Sequence, residues 1–224
     1  MSVNNHNADS TLSQGAIEVI RFDAPVHYID AYCAQIERRD AVLDGNASEA
    51  LFMLEHLPVI TLGREAKPKH ILADRETLHN MGIDIHEADR GGDVTYHGPG
   101  QLVAYPVLNL KARNMAIRTY LRAVEDVVID TLAEYGLEGK RVYGFTGVWV
   151  NHAKVAAIGV GARRWVTFHG LALNVDPNMK HFAQIVPCGI ADKPITSLRT
   201  LLGEAPSIAD VSARLERHFL ERFV

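Results

Sequence analysis

Cys188 stands between Pro187 and Gly189 in Ile185-Val186-Pro187-Cys188-Gly189-Ile190, a segment without helical periodicity. Proline fixes and glycine opens the backbone beside the thiol, which can leave it more accessible than a thiol on an apolar helix face. A thiol attacks as the thiolate, and a nearby cation favours that form. The candidate cation is Lys154, which begins the otherwise apolar run Val155-Ala156-Ala157-Ile158-Gly159-Val160. Beside a thiol its ammonium would stabilise a thiolate, and once deprotonated it would accept a proton from an incoming amine. Each residue also has a plainer reading. Cys188 can be a small residue packed in a turn, and Lys154 a lysine that snorkels to water. Both readings stand on these residues alone.

Other reactive groups are less well organised. His97, His152, His169 and His181 offer further bases or metal ligands, but their spacings match no common zinc pattern, so no metal is expected. The chain has neither a G-x-x-x-x-G-K-[ST] phosphate loop nor a convincing dinucleotide fingerprint. Arg163-Arg164 and the set Arg113, Arg118 and Arg122 read either as a dock for an acidic protein or as solvated surface charge. The second cysteine, Cys33, falls on a helical stripe with Val26, Ile29 and Ile36, where a buried and inert thiol is expected.

Positioning these groups requires a scaffold, and its most distinctive stretch is Arg90 to Leu110, RGGDVTYHGPGQLVAYPVLNL. A glycine-rich polar loop carrying Arg90, Asp93, Thr95, Tyr96, His97 and Gln101 runs directly into an apolar strand, Leu102 to Leu110. Loops of this kind approach small molecules closely, and they also serve as plain tight turns. Strands are expected at 17–22, 51–55, 58–62, 83–88, 147–150, 154–160 and 167–175. Helices are expected from about Val26 to Leu43, at 70–80, from Ile117 to Tyr135, at 197–202 and at 208–223. Strands clustered in the middle with helices between and around them predict an α+β or mixed α/β domain on a mainly antiparallel sheet.

At 224 residues the chain suits one large domain. The expected organisation is a flexible polar tail over residues 1–14, without the order of a signal peptide, and a single domain over 15–224. A hydrophobic content of 47% and a charged content of 22% are ordinary for a soluble globular protein, and a net charge of -4 gives no support for nucleic-acid binding. No apolar run is long enough to cross a bilayer. The two cysteines suit a reducing cytoplasm rather than a disulfide scaffold.

Taken together, Arg90-Gly-Gly-Asp-Val-Thr-Tyr-His-Gly-Pro-Gly-Gln101, Lys154 with Ala157-Ile-Gly159, His169-Gly-Leu-Ala-Leu-Asn174 and Pro187-Cys-Gly189 resemble the lipoyl(octanoyl) transferase family of the biotin/lipoate protein ligase superfamily. Gly63-Arg64 fits the same pattern, and the resemblance covers nearly the whole chain after the tail. It implies a central mixed sheet, mostly antiparallel, with a smaller sheet beside it and flanking helices. The implied reaction moves an octanoyl group from octanoyl-acyl carrier protein to a lysine of a lipoyl domain, on 2-oxoacid dehydrogenase E2 subunits or the glycine cleavage H protein. By the resemblance, Cys188 is the acyl-thioester nucleophile and Lys154 its activating partner. The acyl tunnel is lined by Arg90, Gly91, Gly92, Asp93, Val94, Thr95, Tyr96, His97, Ala157, Ile158, Gly159, Gly170, Leu171 and Ala172. No cofactor, ATP, membrane or nucleic acid is implied, and a cytoplasmic monomer is expected. An ATP-dependent lipoate or biotin ligase, a non-catalytic acyl- or lipoyl-binding module and a thioesterase are the alternatives.

Overall fold

The apolar runs in the middle of the chain pair into two sheets, and the long helices cover both faces of the larger one. The structure is a computed structural model that describes residues 16–186 and 194–224. Its strands are β1 (Ile17–Arg21), β2 (Glu49–Leu54), β3 (Val59–Leu62), β4 (Asp84–Glu87), β5 (Val94–His97), β6 (Gln101–Val107), β7 (Lys140–Val142), β8 (Phe145–Val150), β9 (Ala153–Arg163) and β10 (Val166–Asn174). Its helices are α1 (Tyr28–Leu43), α2 (Arg75–Asn80), α3 (Ile117–Ala133), α4 (Met179–Phe182), α5 (Leu198–Leu202) and α6 (Ile208–Phe223).

The large sheet has the order β1-β2-β6-β10-β9-β8-β7, with β1 parallel to β2 and every other pair antiparallel. The small sheet, β4-β3-β5, pairs β3 parallel to β4 and antiparallel to β5. This is the expected mixed, mostly antiparallel architecture with a smaller sheet. All of β6 is buried, as a strand covered on both faces must be. The apolar stripes of α3 and α6 pack against one face of the large sheet, and α1 packs against the other.

Helix α1 buries a different face from the one its apolar residues suggest. Tyr28, Ala31, Gln35, Arg39 and Val42 face the sheet, while Cys33 is exposed and Ile29 keeps 46% of its surface in water. The buried stripe tolerates polar members because the sheet supplies partners. Gln35 Oε1 accepts the backbone N–H of His169 at 2.7 Å, and the Arg39 guanidinium lies 5.0 Å from the centre of the Phe168 ring. Two further expectations change. The 70–80 helix is a 3₁₀ turn at Pro68–His70 followed by α2, whose N-cap Asp74 accepts from Thr77 N at 2.7 Å. Val94 to His97, read as loop, is strand β5, buried throughout and paired with β3.

Candidate active site

A cavity of about 970 Å³ lies where the small sheet and its loops meet the large sheet. One wall is the row of small residues Ala157 and Gly159 on β9 beside Ala172 and Gly170 on β10, which pair directly across the ladder. The opposite wall is the Arg90–Thr95 stretch with His97. Gly159 is small for a reason the backbone imposes: a Cβ there would stand 2.9 Å from Gly91 O. The loop lies directly on β9, where Gly91 N donates to Val160 O at 2.9 Å. Buried Arg90 is held by Thr61, its Nη2 donating to Thr61 O and Oγ1 at 2.8 Å each. Asp93 accepts from Val94 N at 2.8 Å and lies 2.5 Å from His70 Nδ1.

Lys154 reaches the cavity because β9 carries a bulge. Val148 pairs with Ala156 while the next residue, Trp149, pairs with Lys154, so Val155 is an extra residue. Without it Lys154 would share a face with Ala156 and Ile158, which belong to the core under α3 and α6. One inserted residue turns the lysine to the other face. The side chain is 7% exposed, with Nζ 5.1 Å from the centre of the Trp149 ring, and it lines the cavity. Gly147 (φ +134°) leaves room for it, since a Cβ there would lie 2.5 Å from Lys154 Cε. Gly147 N in turn donates to Glu125 Oε1 at 3.2 Å, and this buried carboxylate is held by Arg122 and Arg141 at 2.6 and 2.8 Å.

Beyond Arg90 lies an aromatic and imidazole cluster that sequence spacing did not reveal. The His56 and His97 rings are 5.6 Å apart, His56 and Tyr28 5.7 Å, and His169 and Tyr32 5.6 Å. Tyr105 and His56 Nε2 are hydrogen-bonded at 2.8 Å, and His56 Nδ1 faces Val26 O at 3.3 Å. The carbonyl only accepts, so the Tyr105 hydroxyl donates to Nε2. His169 adopts φ +55°, and its Nε2 meets Asp89 Oδ1 at 3.0 Å. Burial holds the imidazoles neutral: it pushes His56 down to about 4, His97 well below the usual histidine range, and His169 below it. The hydrogen bond from His169 lowers Asp89 in turn. Tyr28, Tyr105, His97 and His169 all line the cavity. Only His97 and His169 of this cluster were singled out from the sequence. The others come from α1, β6 and the chain after β2, which only the tertiary fold brings together.

Of the expected site residues, Lys154, Arg90 to Thr95, His97, Ala157 to Gly159 and Gly170 to Ala172 line this one cavity. Tyr96 does not. It alternates to the far face of β5, where its hydroxyl meets His181 Nδ1 at 2.8 Å and its ring packs edge-on against Phe182. His152 lies in the exposed β8–β9 turn. Arg113 is tied to Glu49 at 2.9 and 3.0 Å, and Arg122 to Glu125, so neither is spare surface charge. Cys188 lies outside the described residues. The chain before it is fixed by Val186 N donating to His70 O at 2.8 Å. The chain after it is fixed by Lys154 N donating to Pro194 O at 2.8 Å and by Thr196 N donating to Lys154 O at 2.9 Å. Among the described residues no helix is long and apolar enough to cross a membrane.

A large mixed sheet, a small companion sheet and a cavity between them define the lipoate and biotin ligase class of α/β fold. The structure of a bipartite lipoate protein ligase of Thermoplasma acidophilum, solved in a study of that ligase and its E2 lipoyl domain, superposes with a TM-score of 0.68 at 15% identity, covering 93% of this chain and 83% of that one. The lipoyl protein ligase A/B catalytic domain model matches residues 32–220, and the chain belongs to that family. It is 49% identical to an octanoyltransferase of Chloroflexus aurantiacus over 85% of this chain and 89% of the relative. It is 46% identical to an octanoyltransferase of Solibacter usitatus over 88% and 89%.

Proposed function

We propose that this protein is an octanoyltransferase that moves an octanoyl group from octanoyl-acyl carrier protein to a lysine of a lipoyl domain through a thioester on Cys188. The acceptors in this reading are the lipoyl domains of 2-oxoacid dehydrogenase E2 subunits and the glycine cleavage H protein. Residues 15–224 act as one catalytic domain, as a monomer, in the cytoplasm. The observation that carries the reading is Lys154: a bulge and a glycine turn it, almost fully buried, into a cavity whose walls shrink to alanine and glycine. Such walls leave room for a straight alkyl chain. The octanoyltransferases matched over most of the chain point the same way.

In the first half-reaction the Cys188 thiolate, stabilised by the Lys154 ammonium, attacks the donor's thioester carbonyl, and the carrier's thiolate leaves. In the second, the acceptor lysine's neutral amine attacks the enzyme thioester. An amide forms, the amine loses a proton and the Cys188 thiolate is released. The first exchange is nearly neutral in free energy and amide formation drives the second, so no ATP is consumed. Support for the role of Cys188 comes from Val186 and Pro194, the described residues that flank its segment, whose backbones are tied to His70 and Lys154 on the cavity wall. The test supplies octanoyl-acyl carrier protein and an apo lipoyl domain without nucleotide. The expected result is the octanoylated domain. No product unless ATP and free octanoate are added would replace this reading with a ligase.

A further inference from the structure

A buried chain of side chains runs from His97 on the cavity wall to the backbone of Lys154. His97 Nδ1 lies 2.7 Å from Gln101 Oε1. Gln101 Nε2 lies 2.8 Å from Asn174 Oδ1 and 3.2 Å from Tyr96 O. Asn174 Nδ2 lies 3.0 Å from Thr196 O, and Thr196 N donates to Lys154 O at 2.9 Å. The side chains of His97, Gln101 and Asn174 belong to residues no more than 6% exposed.

The direction of every bond in this chain is forced. The carbonyls of Thr196 and Tyr96 only accept hydrogen bonds. Asn174 must therefore turn its amide nitrogen to Thr196, which leaves its oxygen toward Gln101. Gln101 must turn its nitrogen to Asn174 and Tyr96, which leaves its oxygen toward His97. An amide oxygen only accepts, so His97 carries its hydrogen on Nδ1 and its lone pair on Nε2. Nε2 has no hydrogen-bond partner among the described residues, and His97 lines the cavity.

We propose that Asn174 and Gln101 are positioning residues that hold His97 in the Nδ1–H tautomer, and that its bare Nε2 receives the proton of the amine that attacks the acyl group. The inference rests on the two-step transfer proposed above and concerns its second half-reaction. The amine's electron pair forms the C–N bond, the acyl–sulfur bond breaks, and sulfur leaves as thiolate. The amine proton passes to Nε2, and the imidazolium gives it up to solvent, which balances the proton taken up by the carrier thiolate released in the first half-reaction. Burial, which keeps the resting ring neutral, keeps the lone pair available. Lys154 is then left as the cation beside sulfur, and the relay joins the two groups through the Lys154 backbone.

The test has two readouts on the full chain. Long-range ¹H–¹⁵N spectra of the histidine-labelled protein, with His97 assigned from the signal lost in His97→Gln, report which ring nitrogen is protonated. A hydrogen on Nδ1 and a bare Nε2 are expected; a protonated Nε2 in the wild type overturns the proposal. Single-turnover kinetics then separate acyl loading from transfer to an apo lipoyl domain. Gln101→Met, which removes the acceptor from Nδ1, is expected to slow transfer about tenfold or more while loading stays within about twofold. Equal slowing of both steps, or of neither, overturns it. If Gln101→Met does not fold, the wild-type spectrum still decides the tautomer. A wild type that neither loads nor transfers would overturn the transferase reading, while the spectrum would still report on the relay.

Discussion

At the scale of single residues, the site depends on where a few side chains are allowed to go. Gly147 is the clearest case. Its φ of +134° is unfavourable for any residue with a Cβ, and that Cβ would meet Lys154 Cε at 2.5 Å and Ala156 O at 2.6 Å. Gly147→Ala is therefore expected to cost about 1–3 kcal/mol of stability and to displace the lysine, with turnover falling further than the folded fraction. Urea denaturation and turnover on the same sample check this, and wild-type values for both would show that the lysine does not depend on that gap. Lys154 was legible in the sequence as a polar residue heading an apolar strand. The bulge that aims it was not, because an inserted residue shows only once the partner strand fixes the register.

At the scale of elements, α1 shows where pattern reading fails. Its apolar residues suggest a stripe through Ile29 and Cys33, yet the buried stripe runs through Tyr28, Ala31, Gln35, Arg39 and Val42. Hydrophobic periodicity cannot see a polar side chain whose partner sits on a distant strand, and Gln35 is such a residue. Gln35→Leu would strip the acceptor from the buried His169 N–H, for an expected loss of about 1–3 kcal/mol. Cys33→Ser, on the exposed face, is expected to change stability by less than about 0.5 kcal/mol. Chemical denaturation of both variants decides between the faces, and the reverse ranking would restore the stripe suggested by the apolar residues. Helix α6, whose stripe Val211, Leu215, Phe219 and Phe223 is wholly apolar, was legible but for its last turn, where Phe223 is buried and Leu220, which the sequence suggests as inward, is only partly so. Strand β5 was not, because its buried Thr95 and His97 look like loop residues until β3 pairs with them.

At the scale of the whole molecule, the fold encloses three neutral imidazoles, His56, His97 and His169, whose pKa values burial lowers. The unfolded chain binds protons on these rings below its ordinary histidine value of 6.5, whereas folded His56 binds its own only near 4. The His56 contribution to stability is complete above pH 6.5 and is lost as pH falls toward 4, on the order of 3 kcal/mol, and the lowered His97 and His169 act in the same direction. The unfolding midpoint should fall steeply over this window, and less steeply in His56→Gln; a flat profile would show that the imidazoles are charged or solvated in the folded state. The fold class was legible in the order of apolar strands and helices, while the mixed sheet and most of the cavity wall were expected only through the resemblance that the glycine motifs carry. Most of the imidazole cluster was not legible, because its members come from α1, β5, β6, β10 and the chain after β2 and share no spacing.

The account as a whole stands on covalent transfer through Cys188. The most direct test is the intact mass of wild-type and Cys188→Ser protein after incubation with octanoyl-acyl carrier protein in the absence of ATP. A gain of one octanoyl group on the wild type, absent from the variant and discharged by an apo lipoyl domain, is the expected result. Octanoylation of the lipoyl domain by Cys188→Ser at the wild-type rate, with no adduct on either protein, would contradict it.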